Sequence, residues 1–403
     1  MKNPEIRFID DNIDWQNENL SDALIERNTA SYKNNGLEHV SLTKDGVIPK
    51  SDRYERDFLV TTKNKKYKIT KINDICYNPA NLKFGVICRN KYKDGIFSPI
   101  YITFETTENY SPNFVELLVT NPKFIRASLR YQEGTVYERM AVSPDNLLKM
   151  PISIPNIELQ DKISKIFEDI DIKIKEEIGL IQKLKDTKSA LLIKMFPQEN
   201  QSVPELRFDD FTNDWEQRKL GDMLKTLKDG THGTHQDVEI GPLLLSAKNI
   251  KSGKVIWDDS DRRISQDSYN KIHSSFKLMK GDVLLTIVGS IGETAILKEP
   301  DIMTFQRSVA ILSPNDNLFS QFLHTEIQTN KFQRELENRK STSAQSGIYL
   351  GELSEIPIMF PSKEEQTKIG ILFQSLDNLI TLHQRKLDKL KEVKDALLDK
   401  LLV

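Results

Sequence analysis

One internal duplication constrains this chain more than any other feature. Residues 4–24, PEIRFIDDNIDWQNENLSDAL, and residues 204–224, PELRFDDFTNDWEQRKLGDML, agree at Pro4, Glu5, Arg7, Phe8, Asp10, Asp14, Trp15, Leu20, Asp22 and Leu24, all at an offset of 200. A second agreement lies further along, at an offset of 206. It joins IPNIELQDKISKIFEDID from Ile154 to FPSKEEQTKIGILFQSLD from Phe360, matching Pro155, Glu158, Gln160, Lys162, Ile163, Phe167 and Asp171. The match continues through Leu184, Lys185, Lys188, Ala190, Leu191, Leu192 and Lys194, which recur as Leu390, Lys391, Lys394, Ala396, Leu397, Leu398 and Lys400. The chain therefore consists of two tandem halves. Each has a matching head, a divergent middle and a matching tail, and the period is far too long for a stacking solenoid.

The tails read as long helices. They are rich in Lys, Leu, Ile and Glu and almost free of Gly and Pro, and Pro155 and Pro361 fit helix starts. In the second tail Ile369, Leu376, His383, Leu390 and Leu397 are spaced by seven, beside Phe373, Ile380, Leu387, Lys394 and Leu401. In the first, Ile163, Ile170, Glu177, Leu184 and Leu191 run beside Phe167, Ile174, Ile181, Lys188 and Met195. These are a/d seams of a coiled coil. The polar breaks also correspond, Glu177 to His383 and Lys188 to Lys394. Such residues either fix register at some loss of stability or snorkel at the seam edge. A single helix with one bare apolar stripe is not stable alone, so the two tails are expected to pack on each other, antiparallel.

The middles, 27–150 and 227–350, barely align. One echo remains, Asn73-Asp74-Ile75 against Gly281-Asp282-Val283. Gly281–Gly289 and Gln306–Leu312 read as strands and Phe319–Asn338 as helix, giving compact strand-rich domains with a few helices. The first middle holds 20 Lys/Arg against 13 Asp/Glu, with Lys63, Lys65 and Lys66 in one run; the second holds 15 of each. A basic cluster suits phosphate contacts, but the neutral second middle means that charge alone does not identify a nucleic-acid binder. The net charge of the 403 residues is −2.

The chain offers no recognisable chemistry of its own. Asn78-Pro79-Ala80 fails the Asn/Asp-Pro-Pro-aromatic motif of methyltransferases. Pro144-Asp145 with Lys149 lacks the spacing of a common nuclease motif, and no phosphate-binding Walker loop occurs. His232 and His235 have no Cys or further His nearby, which favours a polar loop over a metal site. Cys76 and Cys88 are expected to be buried thiols, since no charged-then-apolar leader precedes them. No apolar run of about 18 residues suggests a membrane span, and a cytoplasmic location is expected.

This order of head, variable module and helical tail resembles the specificity (S) subunit of type I restriction–modification systems, over nearly the whole chain. The string at 204–224 resembles the segment that opens a target recognition domain. The pattern Pro-x-x-Glu-x-Gln-x-Lys-Ile, at Pro155–Ile163 and Pro361–Ile369, resembles the junction with the spacer helix. Glu158-Leu159-Gln160 departs from the usual Glu-Glu-Gln, which stands as Glu364-Glu365-Gln366. The resemblance implies a mixed α/β (α+β) fold. It also implies two target recognition domains separated by two long spacer helices that pair as an antiparallel coiled coil with pseudo-twofold symmetry. The expected divisions are 1–155, 156–198, 199–361 and 362–403. It implies further that each domain reads one half of a bipartite double-stranded DNA target and that the helices set the gap. Two methyltransferase subunits and a restriction/translocase subunit are the implied partners. Those partners, and not this chain, would use S-adenosylmethionine, ATP and Mg.

Base edges are read mainly by Arg, Lys, Asn, Gln and Ser/Thr on protruding elements. The best such loop in the second module is 339–347, with Lys340, Ser341, Thr342 and Gln345. Its counterpart is 130–137, with Arg130, Gln132 and Tyr137. Thr231, Lys248 and Asn249, with Lys63, Lys65 and Lys66, complete the candidates; the plain alternative for each is a solvated surface residue. Trp15 and Trp215 are expected to anchor each head by packing. Two rival functions remain open from sequence: a hidden methyltransferase or nuclease, and a coiled-coil scaffold that binds only proteins.

Overall fold

The computed structural model describes residues 15–32, 36–51, 66–134, 140–341 and 346–402. It divides into two compact units, residues 1–176 with 386–403, and residues 177–385.

Each unit is closed by the same stitch. In the first, the head strand Gln16–Asn19 pairs antiparallel with Pro151–Ile154, Gln16 opposite Ile154. In the second, Glu216–Lys219 pairs with Pro357–Phe360, Glu216 opposite Phe360. The registers are equivalent. Both heads then turn through a short helical segment whose leading amide donates to the matching carbonyl, Leu20 to Met150 (2.9 Å) and Leu220 to Ile356 (2.8 Å). The tryptophan before each strand is buried. Trp15 packs 6.0 Å from the Phe114 ring, and Trp215 lies 5.8 Å from Phe196 and 5.7 Å from Phe322. Both therefore act as packing anchors.

A four-stranded antiparallel sheet follows in each unit. Its order in the first is Leu24–Glu26, Ile102–Thr106, Ile75–Tyr77, Ile87–Arg89; in the second, Leu224–Asp229, Val309–Pro314, Val283–Thr286, Thr294–Ile296. The faint echo seen in sequence is the turn that enters the third of these strands. Asn73 (φ 70°) and Gly281 (φ 98°) take the left-handed backbone there. The aspartate that follows accepts the amide three residues back, Asp74 from Lys71 (2.7 Å) and Asp282 from Met279 (2.8 Å). Buried polar groups need partners, and the two units complete theirs differently. Arg27 bonds Asp74 through Nε at 2.8 Å and Nη2 at 3.1 Å, whereas the Ser313 hydroxyl donates to Asp282 at 2.6 Å.

The inserted parts differ. In the first unit a five-stranded sheet runs Ala30–Tyr32, Lys66–Thr70, Gly95–Phe97, Glu38–Thr43, Gly46–Pro49. It packs over Val40, Leu42, Phe97 and the free, buried thiols of Cys76 and Cys88. In the second the insert is a parallel pair, Leu243–Leu245 with Met303–Phe305, a hairpin of Ile250–Lys251 and Lys254–Val255, and the helix Gln266–Ile272.

Some element limits differ from the sequence reading. The strands are Val283–Thr286 and Val309–Pro314, shorter than or shifted from those expected. Gln306–Ser308 lies outside the second, because its backbone bonds Leu245 and Thr231 instead. The expected helix 319–338 is two helices, Ser320–Ile327 and Asn330–Asn338, interrupted where the Thr329 side chain caps the second through Phe332 N at 3.2 Å.

The long helices are Ile157–Lys194 and Lys363–Leu401. The first, 38 residues, measures about 57 Å at 1.5 Å per residue. Pro155 and Pro361 stand just ahead of the helices, as expected; Asn156 and Ser362 accept the amides of Leu159 (3.0 Å) and Glu365 (3.4 Å). Each unit's core takes the start of one helix and the end of the other. Leu159, Ile163 and Phe167 pack with Leu401 and Leu402 in the first, and Ile369 and Phe373 with Met195 and Phe196 in the second. Lys394 bonds Asp171 in the first unit; in the second, Lys188 bonds Asp377 at 2.6 Å and His383 bonds Glu177 at 2.8 Å. Within each unit the helices run antiparallel, as expected. Among the described residues, no helix is long and apolar enough to cross a membrane.

Candidate nucleic-acid interface

The frame that carries the candidate loops is locked at each helix junction by one glutamine. Gln160 accepts Ser111 N at 2.9 Å and donates to Pro155 O at 2.9 Å. Gln366 accepts Phe319 N at 2.9 Å and donates to Pro361 O and Asn317 O, both at 3.0 Å. Both are buried. The shared Pro-x-x-Glu-x-Gln pattern thus has a mechanical meaning: the amide fastens the start of the long helix to the start of the helix that covers the sheet. Glu365 adds a buried pair to Arg207, at 2.7 and 2.8 Å, holding the second head to the second long helix. Its equivalent in the first copy, Leu159, joins the apolar core instead.

In the second unit three candidate stretches converge on one turn. Thr231 N donates to Phe305 O (2.8 Å) and Arg307 N to Thr231 O (3.2 Å). On the other side Ala247 N donates to Ser308 Oγ at 3.0 Å. The loop that begins at Ser341 closes at its base, Ser341 N to Gly347 O at 2.9 Å and Gly347 N to Ser341 Oγ at 3.2 Å, and Ile348 N reaches Ile287 O at 3.0 Å. Between the Thr231 and Ser341 stretches opens a cavity of about 330 Å³. Ile287, Val288 and Ile348 contribute apolar lining, and Asp229, His232, Arg307 and Tyr349 contribute polar groups. Tyr349 is 69% exposed. An apolar cleft with a few convergent polar groups is a normal recognition site, and an exposed tyrosine with an arginine suits a base.

The candidates take different places around this geometry. Ser341 lines the cavity. Lys340 lies beside it and pairs with Glu337 at 3.4 Å. The Thr231 hydroxyl meets His235 Nε2 at 2.8 Å, and His232 Nε2 lies 2.5 Å from Asp229 Oδ2. Among the described residues no three His, Cys, Asp or Glu gather as a metal site. Lys248 is exposed and bridges Asp261 at 2.8 Å. That ammonium, with the Asn249 amide, holds the Asp261 carboxyl down at about 2. Asn249 requires a correction. It is buried, accepts Ser246 N at 3.0 Å and donates to Ile256 O (3.0 Å) and Asp261 Oδ1 (3.1 Å). In this conformation its amide is fully occupied inside the fold and presents nothing to a base edge. Thr342 and Gln345 lie outside the described residues.

In the first unit Arg130 is exposed at the end of a short helical turn, and Gln132 is half-buried with an unpaired Nε2. The loop they open closes at Glu133 and Ala141, through reciprocal amide–carbonyl bonds of 2.9 and 3.0 Å. It corresponds in chain order to the Ser341–Gly347 loop. Lys66 is exposed at the start of its strand. Lys63, Lys65 and Tyr137 lie outside the described residues. Sequence reading missed Arg307 and Tyr349. The signal for Arg307 was available, since Gln306-Arg307-Ser308 is a polar triplet ahead of the apolar run Val309–Leu312.

A duplicated α+β frame with unlike inserts and matched long helices defines a two-module architecture. Residues 212–392 match the type I restriction modification DNA specificity domain. The chain is 26% identical over 261 residues to the type I restriction enzyme MjaVIII specificity subunit of Methanocaldococcus jannaschii, across 62% of this chain and 61% of that one. It is 29% identical over 160 residues to the EcoBI specificity subunit of Escherichia coli, across 39% of this chain and 33% of that one. The matches thus span about 61% and a third of these relatives' lengths. The fold is shared with the S subunit of the type I restriction–modification system from M. genitalium, at a TM-score of 0.60 and 16% identity, over 100% of this chain and 99% of that one. It is also shared with a chain solved in work on complex assembly of the type I R-M system, at a TM-score of 0.52 and 16% identity, over 96% of this chain and 97% of that one. Residues 212–392 thus resemble a type I restriction modification DNA specificity domain, and the chain is similar to type I specificity subunits in sequence and in fold.

Proposed function

We propose that this chain reads the DNA target of a type I restriction–modification complex, each unit addressing one half of a bipartite duplex site. The observation that carries this reading is the contrast between frame and insert. The head-to-end strand registers, the four-stranded sheets and the glutamine locks coincide in the two units, while the inserted sheets do not. Two copies of one frame with two unlike reading surfaces suit a target whose halves differ in sequence. The paired helices would set the distance between half-sites, which for one turn of duplex is about 34 Å.

Methyl transfer from S-adenosylmethionine is assigned to two methyltransferase subunits, and ATP- and Mg-dependent cleavage to a restriction/translocase subunit. Docking of protein partners on the helices is supported by their outward apolar residues: Ile178, Leu180, Leu379 and Leu382 stand exposed. A cytoplasmic site of action goes with this role.

The test is reconstitution. The purified chain with S-adenosylmethionine and target DNA should transfer no methyl group, and addition of the methyltransferase subunits should give site-specific transfer and a sequence-dependent gel shift. Transfer by the chain alone would make it an enzyme. Assembly with the partners but no sequence-dependent shift would make it a scaffold.

A further inference from the structure

The helix Ser320–Ile327 of the second unit and the helix Pro112–Thr120 of the first are equivalents, related by an offset of 208. Ser111 and Phe319 donate to the two locking glutamines. Phe114 and Phe322, Val115 and Leu323, and Val119 and Ile327 are buried at matching positions. Asn121 and Thr329 cap the next helix in each. Leu118, packed in the first core, therefore corresponds to Glu326 in the second, and both are buried.

A carboxylate thus stands where the sister copy is satisfied by leucine. Burying a charge without a partner is strongly unfavourable, and among the described residues no side chain hydrogen-bonds this carboxylate. The Gln328 amide donates to His324 O and its carbonyl accepts Lys188. The Gln198 amide donates to Ile193 O and Phe196 O. The Thr329 hydroxyl donates to the backbone carbonyl of Glu326, not to its carboxylate. Among the described contacts Lys331 makes no ion pair with Glu326, although its charge acts on the carboxylate; burial is the larger effect and pushes this acid up to about 8. The sister lysine, Lys123, bridges Asp399 at 2.7 Å, a position that Ile193 occupies in the second unit.

Beside Glu326 lies a cavity of about 150 Å³, lined by Ser189, Leu192, Phe196, Gln198, Glu326 and Asn330 among others. That is roughly the volume that holds one benzene-sized group. We propose that this cavity is a binding site for a single alkyl-guanidinium or alkyl-ammonium group, whose charge meets Glu326 and whose stem packs on Leu192 and Phe196. The group comes either from a free small cation or from an arginine or lysine of a docked protein.

Saturation-transfer NMR on the full chain, with propylguanidinium and propylammonium as probes and propylurea as the neutral control, tests this. Saturable transfer to both cations and none to the urea is expected. It should be lost in Glu326→Leu, which installs the sister copy's residue, and in Ser189→Trp, which fills the cavity and leaves the carboxylate in place. Lys331→Ala should keep or strengthen it. Repeating the titration with the partner methyltransferase subunits bound separates the sources: loss of the probe signal points to a protein side chain, and retention to a small molecule. No saturable transfer in the unmodified chain, equal transfer in Glu326→Leu, or transfer seen only in Lys331→Ala would overturn the proposal. The last result would mean that the chain fills its own pocket.

Discussion

His383 Nδ1 lies 2.8 Å from Glu177 Oε2, and these two residues are each other's equivalents in the duplicated sequence. The same exchange relates the two lysine bridges: Asp171 with Lys394 in one unit, Asp377 with Lys188 in the other. An antiparallel pair built from two copies of one helix must bring some position against its own copy, and here that position is polar and complementary. Removing one partner of a buried polar pair takes a hydrogen bond from the other, which costs about 1–3 kcal/mol. His383→Ala should therefore lower the melting temperature. The double change Glu177→Leu with His383→Leu should recover most of the loss, while relaxing the constraint on register. A single variant as stable as the parent chain would show that the two residues merely share a surface.

The glutamine locks make an independent prediction. Gln366→Ala strands the Phe319 amide, and Gln160→Ala the Ser111 amide, each at about 1–3 kcal/mol. Hydrogen exchange should rise first in the helix that each lock fastens, 320–327 or 112–120. Unchanged exchange there would remove the mechanical role of the motif.

Gly230 lies in close backbone contact with the Phe305–Ser308 turn of the second unit. A Cβ built there would sit 2.1 Å from Phe305 O and 2.3 Å from Gln306 O, both backbone atoms that cannot swing aside. Gly230→Ala should displace the Thr231 stretch from the Phe305–Ser308 turn and cost a few kcal/mol, roughly the range for overpacking. Recognition by the second unit should fail while the first still folds, measured by limited proteolysis of each unit.

Glu326 gives a pH signature. Its folded-state value is raised from 4.5 to about 8, so the folded chain holds this proton more tightly than the unfolded chain. Stability is then unaffected below the unfolded value and falls as pH rises from 4.5 to about 8. Glu326→Leu should stabilise the second unit by an amount that grows across that window, reaching a few kcal/mol above pH 8. Denaturant midpoints at pH 5 and pH 8.5 check this; a constant difference would contradict it.

The duplication, the paired helices and the anchoring tryptophans were legible because they recur as patterns within one chain. The same held for Asn73–Ile75 against Gly281–Val283, three residues that mark one turn twice. Reading residues were harder. Asn249 has the chemistry of a base reader, and only its hydrogen bonds to Ser246, Ile256 and Asp261 show that the fold uses it up. Arg307 is brought beside Ser341 and Tyr349 by backbone bonds from Ile348 to Ile287 and from Ile287 to Ser308, contacts between residues distant in the chain that no local pattern encodes. Glu326 was invisible for a related reason. Its helix aligns with the sister copy at an offset of 208, not the 200 or 206 of the matched heads and tails.

In the proposed function, one unit reads one half of a two-part target. Methylation mapping of host DNA in cells that carry the partner subunits, with the parent chain and with Arg307→Ala or Tyr349→Ala, tests it most directly. The parent chain should produce one bipartite methylated motif, and each variant should blur or weaken the half read by the second unit while the other half and the spacing persist. Motifs that remain unchanged in both variants, or that degrade equally in both halves, would contradict the account.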